Sequence, residues 1–81
     1  MKTVIVLGGV GQVGGVVVRT LVHTEEFSKV VIGDLNLERA EELAAELGDK
    51  AAAVQVNASD PESVASAIKD NDLVVNCVGP F

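Results

Sequence analysis

Residues 8–15 read Gly8-Gly9-Val10-Gly11-Gln12-Val13-Gly14-Gly15, the stretch of this chain whose residue types and spacing best suit a specific chemistry. Glycine accepts backbone angles and close approaches that a Cβ forbids. Where such a run leaves a strand and opens a helix, the unpaired N–H groups of the first turn and the positive end of the helix dipole make a site for phosphate. Two registers fit. Gly9, Gly11 and Gly14 spell GxGxxG; Gly8, Gly11 and Gly14 spell GxxGxxG; the sequence leaves that choice open. In either register the first glycine turns the chain out of the strand, Gly11 admits a pyrophosphate to the backbone, and Gly14 allows close helix–sheet packing. Asp34 is the second signal. It stands 20 residues beyond Gly14, where a carboxylate can accept hydrogen bonds from an adenosine ribose.

These groups need a frame, and strand and helix patterns alternate along the chain. Residues 3–7 are an apolar, β-branched run ending at the glycines, as a buried strand requires. Residues 10–23 carry Val13, Val16, Val17 and Leu21 at helical spacing, which predicts an apolar stripe on those positions. Residues 30–32 predict a second strand that ends at Gly33-Asp34. Asn36 is a good N-cap for a helix whose apolar face is Leu37, Ala40, Leu43, Ala44 and Leu47. Its outer face holds Glu38, Glu41, Glu42 and Glu46, and Gly48 stops it. Residues 52–57 predict a third strand. Asp60 and Pro61 then open a third helix, with Val64, Ala65 and Ile68 inward. After the Asn71-Asp72 turn, residues 73–78 predict a fourth buried strand, closed by Gly79-Pro80.

Strands alternating with helices imply a parallel sheet with right-handed crossovers. The expected fold class is α/β. It is a Rossmann-like parallel sheet, the β-α-β-α-β-α-β half of a doubly wound domain, with strand order 3-2-1-4. Residues 1–81 are expected to form this single, partial dinucleotide-binding domain.

The cofactor expected is NAD(H). Asp34 can accept from both ribose hydroxyls, whereas it repels the 2′-phosphate of NADP, and Leu35 rather than an arginine follows it. Arg39 is the nearby cation that would favour NADP. The expected cofactor-binding residues are Gly8, Gly9, Val10, Gly11, Gln12, Val13, Gly14, Asp34 and Leu35, with Asp60, Asn76 and Gly79 near the ends of later strands. Asp60 is explained equally by an adenine-side position and by helix capping. Asn76 is a polar residue in an apolar strand, either on the cofactor side or satisfied as a structural hydrogen-bonder. Cys77 reads as a small buried strand residue, and His23 and the glutamates carry no chemistry. No catalytic residue is assigned, and no cluster has metal-ligand spacing.

Composition narrows the classes further. The chain has 48% hydrophobic and 22% charged residues, globular rather than disordered values. A net charge of −6 disfavours nucleic acid and anionic membranes as partners. The apolar run after Met1-Lys2-Thr3 is too short for a secretory leader, and no stretch reaches the ~20 residues of a membrane span. A single cysteine fits a reducing compartment, and the expected location is the cytoplasm.

Three segments together give the chain a family likeness. They are Val4-Ile5-Val6-Leu7-Gly8-Gly9-Val10-Gly11-Gln12-Val13-Gly14, Asp34 with Leu37-Glu38-Arg39-Ala40, and Asp72-Leu73-Val74-Val75-Asn76-Cys77-Val78-Gly79-Pro80-Phe81. Over its whole length the chain resembles the N-terminal cofactor domain of the saccharopine dehydrogenase (saccharopine reductase-like) family. The last segment is the most specific. The resemblance implies a pyridine-nucleotide oxidoreductase acting on an amino-acid-derived C–N bond, with the region from Asn76 to Phe81 toward the nicotinamide. It also implies a separate substrate-binding domain, so that these 81 residues would be the cofactor-holding fragment of a larger enzyme and inactive alone. Many relatives place arginine directly after the acid; this chain has Leu35 there, which lowers the expectation of NADP.

Two other functions suit a glycine loop followed by an acid: a non-catalytic nucleotide-sensing module, and an S-adenosylmethionine-dependent methyltransferase. The ending Asn76-Cys77-Val78-Gly79-Pro80-Phe81 favours the oxidoreductase. Finally, a fourth strand with one bare apolar edge, and a sheet face covered only by the third helix, predict self-association.

Overall fold

The computed structural model describes residues 2–78. Gly79, which the sequence placed at the cofactor, lies outside the described residues. The elements run β1 (Lys2–Leu7), α1 (Gln12–Val22), β2 (Phe27–Asp34), α2 (Leu37–Leu47), β3 (Ala51–Gln55), α3 (Pro61–Ile68) and β4 (Leu73–Asn76). All strand pairs are parallel, and the order across the sheet is β3-β2-β1-β4. This is the Rossmann-like α/β topology with its 3-2-1-4 order.

Side chains of a strand alternate between the two faces of a sheet. In β1, Val4 and Val6 point to one face, where they pack with Val18, Phe27, Val30, Ile32 and Ala40 beneath α1 and α2. Ile5 and Leu7 point to the other, where Val56 and the half-buried Val64, Ala67 and Ile68 of α3 cover them. β1 lies between β2 and β4 and is buried on both faces, so it reads as one continuous apolar run.

The helix ends follow their residues. The Asn36 side chain accepts from the Arg39 N–H at 3.1 Å. The Asp60 carboxylate accepts from the Glu62 N–H at 3.0 Å, with Pro61 at the first helical position. Gly48 ends α2 with φ +97°, a left-handed angle that favours glycine.

Several local readings need correction. In α1 the apolar stripe is not Val13-Val16-Val17-Leu21. Val13 and Val16 are 67% and 65% exposed, while Gly14 and Val18 are buried and Val17, Leu21 and Val22 half-buried. A helix of six apolar residues offers several stripes, and the contact of Gly14 with the loop chooses among them. In α3 the inward alanine is Ala67, and Ala65 is exposed. β2 is longer than residues 30–32, because Phe27 starts it from the core. β4 ends at Asn76, and its Leu73 and Val74 are exposed where the sequence predicts a buried strand; among the described residues it pairs only with β1. Cys77 follows the strand and is a half-buried free thiol.

Candidate functional site

The C-terminal ends of β1, β2 and β4 meet at one side of the sheet, where the glycine loop crosses. Gly8 turns the chain out of β1 with φ +78°, and a Cβ there would press at 3.1 Å on the backbone of Cys77 and Val78. Gly9 is buried, and a Cβ would meet the Ile32 methyl at 2.7 Å. At Gly14 a Cβ would overlap the Gly8 carbonyl oxygen. Gly11 has ordinary φ of −72° and room for a Cβ; it is the N-cap of α1. The glycines under steric constraint are therefore Gly8, Gly9 and Gly14, so each of the two sequence registers describes part of the loop. Of these four, Gly11 alone could carry a Cβ at ordinary contact distance, 3.4 Å from the Gly8 carbonyl oxygen.

The loop's backbone N–H groups divide into two sets. Gly8 and Gly9 donate to the Gly33 carbonyl at 2.7 and 3.3 Å, Val10 to Oδ2 of Asp34 at 3.3 Å, and Gly11 to the Gly8 carbonyl at 3.1 Å. The next three, on Gln12, Val13 and Gly14, precede the first intrahelical bond, which Gly15 makes to Gly11 at 2.7 Å. They find no backbone acceptor among the described residues. A helix N-terminus with three unpaired donors and no acidic residue in its first turn has the geometry that suits an anion.

Beside this end of α1 lies a cavity of about 440 Å³. Its walls come from the loop (Gly8, Val10, Gly11), the end of β2 (Gly33, Asp34, Leu35), the segment after β3 (Asn57, Ala58, Ser59) and Cys77. Arg39, from the first turn of α2, lines both this cavity and a polar groove between α1 and α2 that also holds Gln12. Asp34 is half-buried on the cavity wall; its second oxygen, Oδ1, accepts from the Asn36 N–H at 3.1 Å.

Of the residues singled out in the sequence, Gly8, Val10, Gly11, Asp34 and Leu35 are brought together on the cavity. Gly9 and Gly14 lie beneath the loop, and Gln12 and Val13 open α1. Asp60 caps α3 and does not line the cavity. Asn76 is exposed at the end of β4, its side chain accepting from the Val78 N–H at 3.0 Å, and it too lies off the cavity. Sequence alone does not select Asn57, Ala58 or Ser59, whose types carry no motif, and it reads Cys77 as a small buried strand residue within the segment from Asn76 to Phe81; the parallel order of the sheet sets these segments beside the loop.

The fold and this site define the class: a nicotinamide-dinucleotide-binding Rossmann domain of the dehydrogenase kind. Residues 4–81 match the family described as saccharopine dehydrogenase NADP binding domain, and the chain belongs to that family. Among solved structures it is similar to saccharopine dehydrogenase (L-Glu forming) from Saccharomyces cerevisiae, at 26% identity and TM-score 0.81, over 98% of this chain and 17% of that one. It is also similar to 3-hydroxyacyl-CoA dehydrogenase type-2 from Mycobacterium avium, at 38% identity and TM-score 0.78, over 98% of this chain and 33% of that one. A short chain dehydrogenase/reductase family protein matches at 31% identity and TM-score 0.81, over 99% of this chain and 34% of that one. The chain thus spans about a third or less of the structures it resembles. No helix among the described residues is long and apolar enough to cross a membrane.

Proposed function

We propose that residues 1–81 form one dinucleotide-binding unit that holds NAD(H) for an oxidoreductase acting on an amino-acid-derived C–N bond. The observation that carries this reading is the set of three unpaired N–H groups, on Gln12, Val13 and Gly14, which directly follow Gly11, a wall residue of the cavity that Asp34 also lines. The residues suit the cofactor. The pyrophosphate belongs at the N-terminus of α1, where a Cβ at Gly8, Gly9 or Gly14 would disrupt the cradle. The adenosine ribose belongs against Asp34, and the adenine between Leu35 and the 57–59 segment. Asn76 and Gly79 belong on the nicotinamide side.

The bound nicotinamide would supply the hydride chemistry; the chain's part is to bind and orient it. Asp34 is the ground for preferring NAD(H), since its carboxylate accepts from ribose hydroxyls and repels a 2′-phosphate. The substrate class rests on the family and on the likeness to the yeast enzyme, both of which concern larger proteins. A reducing compartment such as the cytoplasm is in keeping with the single free thiol.

The test is a fluorescence titration of NADH, with NADPH in parallel and Asp34→Ala as the control. The chain has no Trp or Tyr, so emission on nicotinamide excitation reports on the cofactor with little interference. Saturable NADH binding, weaker NADPH binding and loss of that preference in Asp34→Ala support the reading. Failure of both cofactors to bind, while S-adenosylmethionine binds, overturns it.

A further inference from the structure

The end of β2 holds the glycine loop through three successive N–H groups. Two of these, Gly8 and Gly9, meet the Gly33 carbonyl, a backbone contact that does not depend on a side chain. The third, Val10, meets the Asp34 carboxylate, and that contact exists only because an acid stands there. The orientation of the carboxylate is set from its other oxygen by the Asn36 N–H, at the entrance to α2. Val10 and Asp34 are both half-buried, and Val10 also packs against the core beneath α1 and α2. One carboxylate therefore bridges the glycine loop and the start of α2 across 24 residues of sequence. A carboxylate has about four acceptor sites, so these two bonds leave capacity for a ribose hydroxyl.

We propose that Asp34 is a positioning residue for the phosphate loop as well as a ribose acceptor, so that its removal weakens binding at the pyrophosphate itself. The proposal rests on the loop being the pyrophosphate site. Two effects of removing Asp34 have opposite signs there. Loss of a nearby negative charge strengthens the binding of an anion. Loss of the hydrogen bond releases the Val10 N–H and the loop, and weakens it. A ligand with no ribose separates the two, and inorganic pyrophosphate is that probe. Asp34→Asn removes the charge but keeps an amide oxygen for Val10; Asp34→Ala removes both.

The experiment measures displacement of NADH by inorganic pyrophosphate from the full chain, Asp34→Ala and Asp34→Asn. Amide hydrogen exchange at Val10 is followed in the ligand-free proteins, with the Gly15 N–H, bonded to Gly11, as the internal reference. The expected result is that Asp34→Asn binds pyrophosphate at least as tightly as the unaltered chain, and Asp34→Ala at least about five-fold more weakly. Val10 exchange should speed up in Asp34→Ala and stay slow in Asp34→Asn. Equal tightening of pyrophosphate in both variants, with Val10 exchange unchanged, overturns the proposal and leaves charge alone as the role of Asp34. If neither NADH nor pyrophosphate binds the unaltered chain, the function proposed above fails, and Val10 exchange decides the positioning role by itself: acceleration in Asp34→Ala supports it, and indifference overturns it.

Discussion

The Cα of Gly14, in the first turn of α1, lies so close to the carbonyl of Gly8 that a Cβ there would overlap the oxygen, with the Gly9 Cα 2.9 Å from the same point. All of these are backbone atoms, so no rotamer change can relieve the clash. Gly14→Ala should therefore push α1 off the loop and cost at least about 3 kcal/mol in urea denaturation, in the range of severe core overpacking. Gly15 is its internal control. Its Cβ would meet nothing closer than 3.9 Å, and Gly15→Ala should stabilise by about 0.5–1 kcal/mol through helix propensity. Similar stabilities for the two variants would contradict the packing described.

Arg39 lines the cavity next to Asp34 and is in no ion pair among the described residues. Its guanidinium is the cation available to a 2′-phosphate at the adenosine ribose. Arg39→Gln should weaken NADPH about ten-fold, the loss of a charge-assisted contact, and change NADH less than about two-fold. Parallel titrations of the two cofactors measure this directly; equal losses for both would remove Arg39 from cofactor discrimination.

Glu46 of α2 is joined to Arg19 of α1 by an ion pair at the surface. The hydrogen bond from Arg19, and then its positive charge, hold the Glu46 carboxyl below its usual value of 4.5. A carboxyl lowered in the folded state contributes stability above that unfolded value and loses it as pH falls through the folded one. Acid should thus weaken the α1–α2 clasp below about pH 4.5, and the pair is exposed, so the effect is small and screened by salt. Denaturation midpoints of Glu46→Gln and the unaltered chain should converge in acid and in high salt. A gap that persists at low pH would assign the effect to packing.

β4 is an edge strand among the described residues, paired only with β1. Leu73 is in register with Val4 and Val74 with Ile5, so one exposed apolar side chain points to each face of the sheet. Such an edge invites pairing with a second copy. Sedimentation should show an average mass that rises with concentration, and Leu73→Lys, a charge on the edge, should return the chain to monomer. A mass independent of concentration in the unaltered chain would remove self-association.

Much of this molecule is legible in its residues because the signals are local. Asn36, Gly48 and the Asp60-Pro61 pair mark helix ends through bonds to backbone a few residues away, and each stands where its chemistry predicts. The alternation of strand and helix leads to the parallel sheet, since right-handed crossovers leave few other arrangements. That the glycine loop and Asp34 come together was likewise readable, because the strand–loop–helix–strand spacing puts them at the ends of adjacent parallel strands. What the residues could not show depends on contacts between distant segments. Val13, Val16, Val17 and Val18 are alike in sequence; the close approach of Gly14 to the Gly8 carbonyl sets the rotation of α1, with Val18 buried and Val13 and Val16 facing water. Asn57, Ala58 and Ser59 join the cavity only because the sheet sets the end of β3 near the loop. The carboxylate of Asp34 reads in sequence as a ribose ligand; the bond to Val10 exists because pairing of β1 with β2 brings residues 24 positions apart within reach. Side-chain type and spacing thus determined the elements and the candidate chemistry. Close packing of backbone on backbone, to which a one-dimensional pattern is blind, decided which faces are buried and how the site is held.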